Sequence, residues 1–224
     1  IGDVPYGSAK VAAFPEFVDF INKAPKADLV AHLGDFKSGS SVCNDEYFDW
    51  VHSEFERIKD PVVYTPGDNE WTDCHRTNNG SYNPLERLQA IRDTCFSEPG
   101  EALGTREKTV LTQGDDPANS AYVENVMWME SKVVFVTVNV QGSNNGTLPW
   151  TGNATMTPEQ AAEVSAREAA DIAWLTKAFS VAKANEAKGV VIMMQADMWD
   201  GTHSDLDALD SIVETIGNQA IAFA

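Results

Sequence analysis

Three carboxylates each follow a glycine where an apolar run ends: Gly2-Asp3, Gly34-Asp35 and Gly67-Asp68. The third extends into Asp68-Asn69-Glu70, and a fourth run, from Val190, closes on Gln195-Ala196-Asp197. A lone Gly-Asp most often caps a loop, but three at successive run ends point to a shared site. Oxygen-rich side chains gathered in one place suit hard or borderline divalent cations. A short carboxylate at a strand end can also give one oxygen to each of two cations ~3.5–4 Å apart.

The elements that must position these groups are read from periodicity. Leu29–Leu33 and Val62–Tyr64 are short β-branched runs that strike glycine, and so read as buried strands. Phe14–Ile21 and Tyr47–Ile58 repeat apolar residues at helical spacing, so the first part alternates strand and helix, as parallel strands with crossover helices do. Asn83-Pro84 opens a further helix. Ala121–Met129 and Lys132–Val140 form a hairpin across Glu130-Ser131. After the polar loop 141–157, Thr157-Pro158 caps a helix reaching about Asn185, with Ala169, Ile172, Leu175, Ala178, Phe179 and Ala182 on its apolar face. A strand at Val190–Met194 and a helix from about Leu206 follow. In an open α/β sheet the ligand crevice lies outside the carboxyl ends of the strands. The four segments ending at Asp3, Asp35, Asp68 and Gln195 are therefore expected as parallel neighbours in one sheet.

Gly-Asp, Gly-Asp and Gly-Asp-Asn-Glu, in this order and spacing, resemble the first three blocks of the calcineurin-like metallophosphoesterases. The resemblance implies a single domain over 1–224 with a four-layer α/β/β/α sandwich, to whose second sheet Tyr122–Val140 contributes. It further implies two divalent or mixed-valence metal ions (Fe, Mn or Zn) and a small phosphate ester as substrate. Residue by residue, Asp35 matches the bridging carboxylate, Asp3 the first-block ligand and Asp68 the third-block ligand. Asn69 stands where the family has its catalytic His, and an amide cannot protonate a leaving group at neutral pH. His75 is the nearest replacement, with Arg76 beside it to take a phosphoryl oxygen. Pro5 replaces a ligand His, with Tyr6 next to it. Gln195 stands at another His position, with Asp197 as the better ligand chemically. Asn144 and Asn145 lie in a loop similar to one that faces the family's substrate. The closing Gly-His-x-His block does not occur, and Ile1 looks like the tail of a strand, so a trimmed chain is expected. A degenerate, non-catalytic member acting as an exported binding or structural protein is the rival expectation.

Sixteen basic against thirty-four acidic residues give a net charge of -18, which repels nucleic acid and anionic membrane surfaces. No apolar run approaches the ~20 residues of a membrane span. Cys43 and Cys74 follow two of the strand-end loops, which places them within reach of a disulfide and leaves Cys95 beside Phe96. With sequons at Asn79, Asn145 and Asn153, this favours a secreted or periplasmic protein, a cytosolic one with free thiols being the alternative.

Overall fold

The computed structural model describes residues 1–198 and 206–223. It is a mixed α/β structure with two sheets. The first pairs β1 (Val30–His32) with β2 (Val62–Tyr64) in parallel, Val30 opposite Val62. Residues 1–3 extend alongside β1, the Leu33 N–H donating to the Ile1 carbonyl at 2.8 Å and the Asp3 N–H to that of Gly34 at 3.3 Å. The second sheet runs in the order β3 (Leu111–Thr112), β4 (Val126–Glu130), β5 (Val133–Thr137), β6 (Gly189–Met193), antiparallel except for the β5–β6 pair.

The strand from Val190 is thus not a neighbour of the other three, as the sequence led one to expect; it lies in the second sheet. Its run of valines and isoleucine satisfies either sheet equally, and the parallel register Val133↔Gly189 decides the matter. The β4–β5 hairpin forms as expected, one residue later. Ser131 and Lys132 both take positive φ (50° and 64°), the two-residue turn whose twist matches the strands.

Helices α1 (Gly7–Ile21), α2 (Asp45–Glu56) and α3 (Pro84–Cys95) cover the first sheet. Phe14, Val18, Phe48, Phe55, Leu88 and Ile91 share one core with Val62 and Tyr64. Asn44 and Asn83 cap α2 and α3 through side-chain oxygens on the Tyr47 and Leu85 N–H groups. Val63 points the other way, into a smaller cluster with Val110, Val126 and Trp128 against which Leu29, Phe135 and Met193 pack. This period-2 split joins the two sheets.

On the second sheet's far side, Val134 and Val136 meet α5 (Pro158–Ala184) and Ile212 of α6 (Asp210–Phe223). Thr157 caps α5 by accepting the Gln160 N–H at 3.2 Å. The buried face of α5 departs from the apolar reading: Ala169 is exposed, while Arg167, Asp171 and Trp174 are buried. Their polar atoms are drawn in by polar partners, Asn125 Nδ2 donating to Asp171 Oδ1 at 2.7 Å and Arg167 Nη1 to the Asn139 carbonyl at 3.1 Å.

Asp171 Oδ2 has no hydrogen-bond partner among the described residues, and burial pushes its carboxyl up from 3.8 to about 7 against the pull of Arg167. A raised folded pKa means that stability is fully present below the unfolded value and lost as pH rises through about 7. Asp171→Asn is therefore expected to be more stable than the parent at about pH 8, with the gain vanishing towards about pH 4. The shift sets an upper limit of about 4 kcal/mol. Thermal denaturation at the two pH values checks this, and an equal difference at both would refute it.

Candidate metal centre

Two Gly-Asp turns cross almost backbone to backbone. A Cβ on Gly34 would stand 2.6 Å from the Gly67 nitrogen, and one on Gly67 2.6 Å from the Asp35 nitrogen, so neither position admits a side chain. Asp3 and Asp35 both sit in the left-handed region (φ 55° and 58°), which β-carbon-bearing residues seldom adopt. What holds the crossing is Glu70, fully buried beneath it. Its carboxylate accepts the Asp35 N–H (3.0 and 3.1 Å), the Gly67 N–H (2.8 Å) and the Tyr64 hydroxyl (2.7 Å).

The strand ends then deliver their side chains to one place. The Tyr6 hydroxyl lies 2.9 Å from Asp3 Oδ1 and 3.1 Å from Asp35 Oδ2, and accepts from Asn69 Nδ2 at 2.8 Å. The Asn69 N–H donates to Asp35 Oδ1 at 3.2 Å. From the second sheet, Gln195 Nε2 reaches Asp35 Oδ2 at 3.1 Å and Asp68 Oδ1 at 3.3 Å. Its Oε1 accepts the Gly142 N–H, which fixes the amide's orientation and turns its NH2 to the carboxylates. Asp35 is the hub. Burial, then the neighbouring Glu70 and Asp68 charges, hold its carboxyl well above the usual range. Burial likewise raises Glu70.

Opposite charge arrives from below. Lys37 is completely buried, its Nζ donating to the carbonyls of Ser38 (2.9 Å) and Asn69 (2.7 Å) and to Asn79 Oδ1 (2.8 Å). The Cys43–Cys74 disulfide forms as anticipated and packs both sulfurs against the same Asn69 carbonyl, while Cys95 remains a buried free thiol. Asn79 and Asn145 are buried, so of the three sequons only Asn153 presents its side chain on the surface.

The lip of the site comes from α4 (Gly142–Asn145), a single turn in which Ser143, Asn144 and Asn145 all have positive φ. It presents the Ser143 hydroxyl to Asp68 Oδ2. Asn145 turns inward, its Oδ1 accepting from Arg167 Nη1 at 2.5 Å and its carbonyl from Nη2 at 2.9 Å, with that guanidinium over the Trp71 ring. Asn144 is half-buried in the same turn, and Asp197 is exposed two residues beyond Gln195. His75 points to the loop at Thr151, whose N–H donates to Nδ1 at 2.9 Å, and Arg76 pairs with Asp73 at 2.5 Å. Burial and then Arg76 lower the His75 pKa.

The structure therefore brings together Asp3, Asp35, Asp68, Asn69 and Gln195, and sets His75 and Arg76 in the adjoining wall. Sequence reasoning passed over Glu70, Lys37 and Ser143. Glu70 stood in the quoted motif, and its place directly after two polar residues at a strand end was the available signal. Tyr6 reads in sequence as a ferric-ion ligand placed one position late; the structure sets its hydroxyl between Asp3 and Asp35.

The donor chemistry, three carboxylates and a phenol, suits a hard cation. Among the described residues no three His, Cys, Asp or Glu side chains stand in ligating geometry. Coordination requires the Tyr6 hydroxyl and the Gln195 amide to yield their places between the carboxylates.

The carboxylates that follow β1 and β2 are thus held on two glycine turns that cross backbone to backbone. The family model for calcineurin-like phosphoesterases matches residues 1–164. The chain belongs to that family. A search among curated proteins finds no match.

Proposed function

We propose that the chain hydrolyses phosphate esters, with divalent or mixed-valence metal ions of the Fe, Mn or Zn type held by Asp3, Asp35 and Asp68. The observation that carries this is the convergence on Asp35 of the Tyr6 hydroxyl, the Asn69 N–H and the Gln195 amide, drawn from three separate stretches of the chain. When bound, such a cation polarises the phosphoryl group and lowers the pKa of the attacking water.

The chain's own residues have separable tasks. Glu70 and Lys37 hold the two turns in register. Gln195, its oxygen committed to Gly142, orients Asp35 and Asp68. Asn69 orients Tyr6 and has no proton to give at neutral pH. His75 accepts at Nδ1 from Thr151, which leaves Nε2–H as a neutral donor. The reading includes a four-layer α/β/β/α sandwich, supported by the separate helical cores on the two sheets and the Val63–Trp128 cluster between them. It also includes export to an oxidising compartment, supported by the buried disulfide and the exposed Asn153. No described helix is long and apolar enough to cross a membrane.

Release of phosphate or alcohol from simple mono- and diesters should appear on adding Mn, Zn or Fe ions and disappear with chelator. Its absence under every metal would sink the proposal. The second reading, a non-catalytic family member, is favoured by one feature: the Gln195 NH2 and the Tyr6 hydroxyl already satisfy the carboxylates.

A further inference from the structure

Beside the carboxylates opens a pocket of about 220 Å³ whose walls include Asp73, His75 and Arg76 on one side and Ser143, Leu148 and Pro149 on the other. Ser143 ties it to the centre, since its hydroxyl donates to Asp68. Arg76, the one cation in the wall among the described residues, is paired with Asp73 at 2.5 Å. His75 is neutral while its Nδ1 accepts the Thr151 N–H. Lys37, beneath the site, is buried and satisfied by three oxygens. Beside Ser143 the opposite wall presents the apolar Leu148 and Pro149, with Leu148 46% exposed although it lies in the pocket.

We propose that this pocket seats the organic group of the ester and selects an uncharged one about the size of a single ring, rejecting anionic tails such as di- and triphosphates. This rests on reading the neighbouring carboxylates as the place of the phosphoryl group. Three features carry it. The volume is below the ~300 Å³ at which pockets begin to hold drug-sized ligands. The apolar face of Leu148 and Pro149 gains by covering a ring or alkyl group. Among the described residues the wall offers no positive charge besides the paired Arg76 to balance a second phosphate, in a chain whose net charge is already -18. The Nε2–H of His75 remains as a donor for an ester or hydroxyl oxygen.

Calorimetry with phenylphosphonate, methylphosphonate and pyrophosphate, on the protein loaded with Mn, tests the pocket apart from turnover. Phenylphosphonate should bind about tenfold tighter than methylphosphonate, the factor that ~1.4 kcal/mol of ring burial gives, and tighter than pyrophosphate. Leu148→Asp, a change at a half-exposed side chain, should remove the preference for the ring, and Leu148→Lys should improve pyrophosphate. Pyrophosphate binding as tightly as phenylphosphonate, or failure of any phosphonate to bind, overturns the proposal. Metal-dependent hydrolysis without preference for the ring overturns the pocket assignment alone. Ring-selective binding with no hydrolysis of any simple mono- or diester under any of the metals upholds the pocket and removes the hydrolase reading.

Discussion

Glu70→Ala should lower stability by about 3–5 kcal/mol, the sum expected when three buried donors lose their acceptor. The donors are the Asp35 and Gly67 N–H groups and the Tyr64 hydroxyl, all on one fully buried carboxylate. For a chain of this length, each kcal/mol moves the midpoint by about 2–4 °C, so a fall of roughly 10 °C is the expected reading. One effect opposes it. Removing Glu70 also removes a buried negative charge next to Asp35 and so relieves part of what holds the Asp35 carboxyl high. The two effects separate by pH. The lost acceptors cost at every pH, whereas the relieved repulsion helps only where both groups are ionised. Glu70→Gln keeps one oxygen for Gly67 and Tyr64 but turns an NH2 towards Asp35, and should cost less than half as much. An alanine variant within ~1 kcal/mol of the parent, the scale of an ordinary surface change, would show that Glu70 does not hold the crossing.

Glu70 also shows where the sequence stops being legible. Strand–glycine–carboxylate blocks announce themselves, because each needs only a local apolar run and a turn, and hydrogen bonds through Tyr6 and Gln195 link Asp3, Asp35 and Asp68. The Thr157 cap and the helix opening at Asn83-Pro84 are equally local and stand where expected. Sheet membership is not local. The strand before Gln195 is a run of β-branched residues that either sheet would bury, so its placement beside β5 is a tertiary outcome. The polar interior is hidden for the same reason. Arg167 and Asp171 sit on a helix face that periodicity marks as core only if their partners Asn145 and Asn125, 22 and 46 residues away, are known. Lys37 reads as a surface lysine until Asn69 and Asn79 fold over it. Asn145 illustrates the converse: a loop asparagine that looks displayed in sequence spends its side chain on Arg167.

Asp35→Asn should have opposite effects on the metal-free and the metal-loaded protein. Without metal, the parent carries a buried carboxylate facing Glu70 and Asp68, and its folded pKa is raised. The sign follows: stability is full below the unfolded pKa and lost as pH rises through the higher folded one. The asparagine variant has no such loss, so with chelator at about pH 8 it should melt above the parent. With metal the order reverses. A cation at one hundred times its Kd adds about 2.7 kcal/mol to the parent, a rise of about 5–10 °C at this chain length. The variant, lacking the hub carboxylate that Tyr6, Asn69 and Gln195 all address, should show little of it. Thermal melts of both proteins with chelator and with Mn, Zn or Fe ions give the four midpoints needed. A parent that melts identically in chelator and metal, or a variant that keeps the full metal-induced rise, removes Asp35 from the centre. The first of these outcomes also leaves the non-catalytic reading, with Tyr6 and Gln195 standing permanently between the carboxylates, as the one the geometry supports.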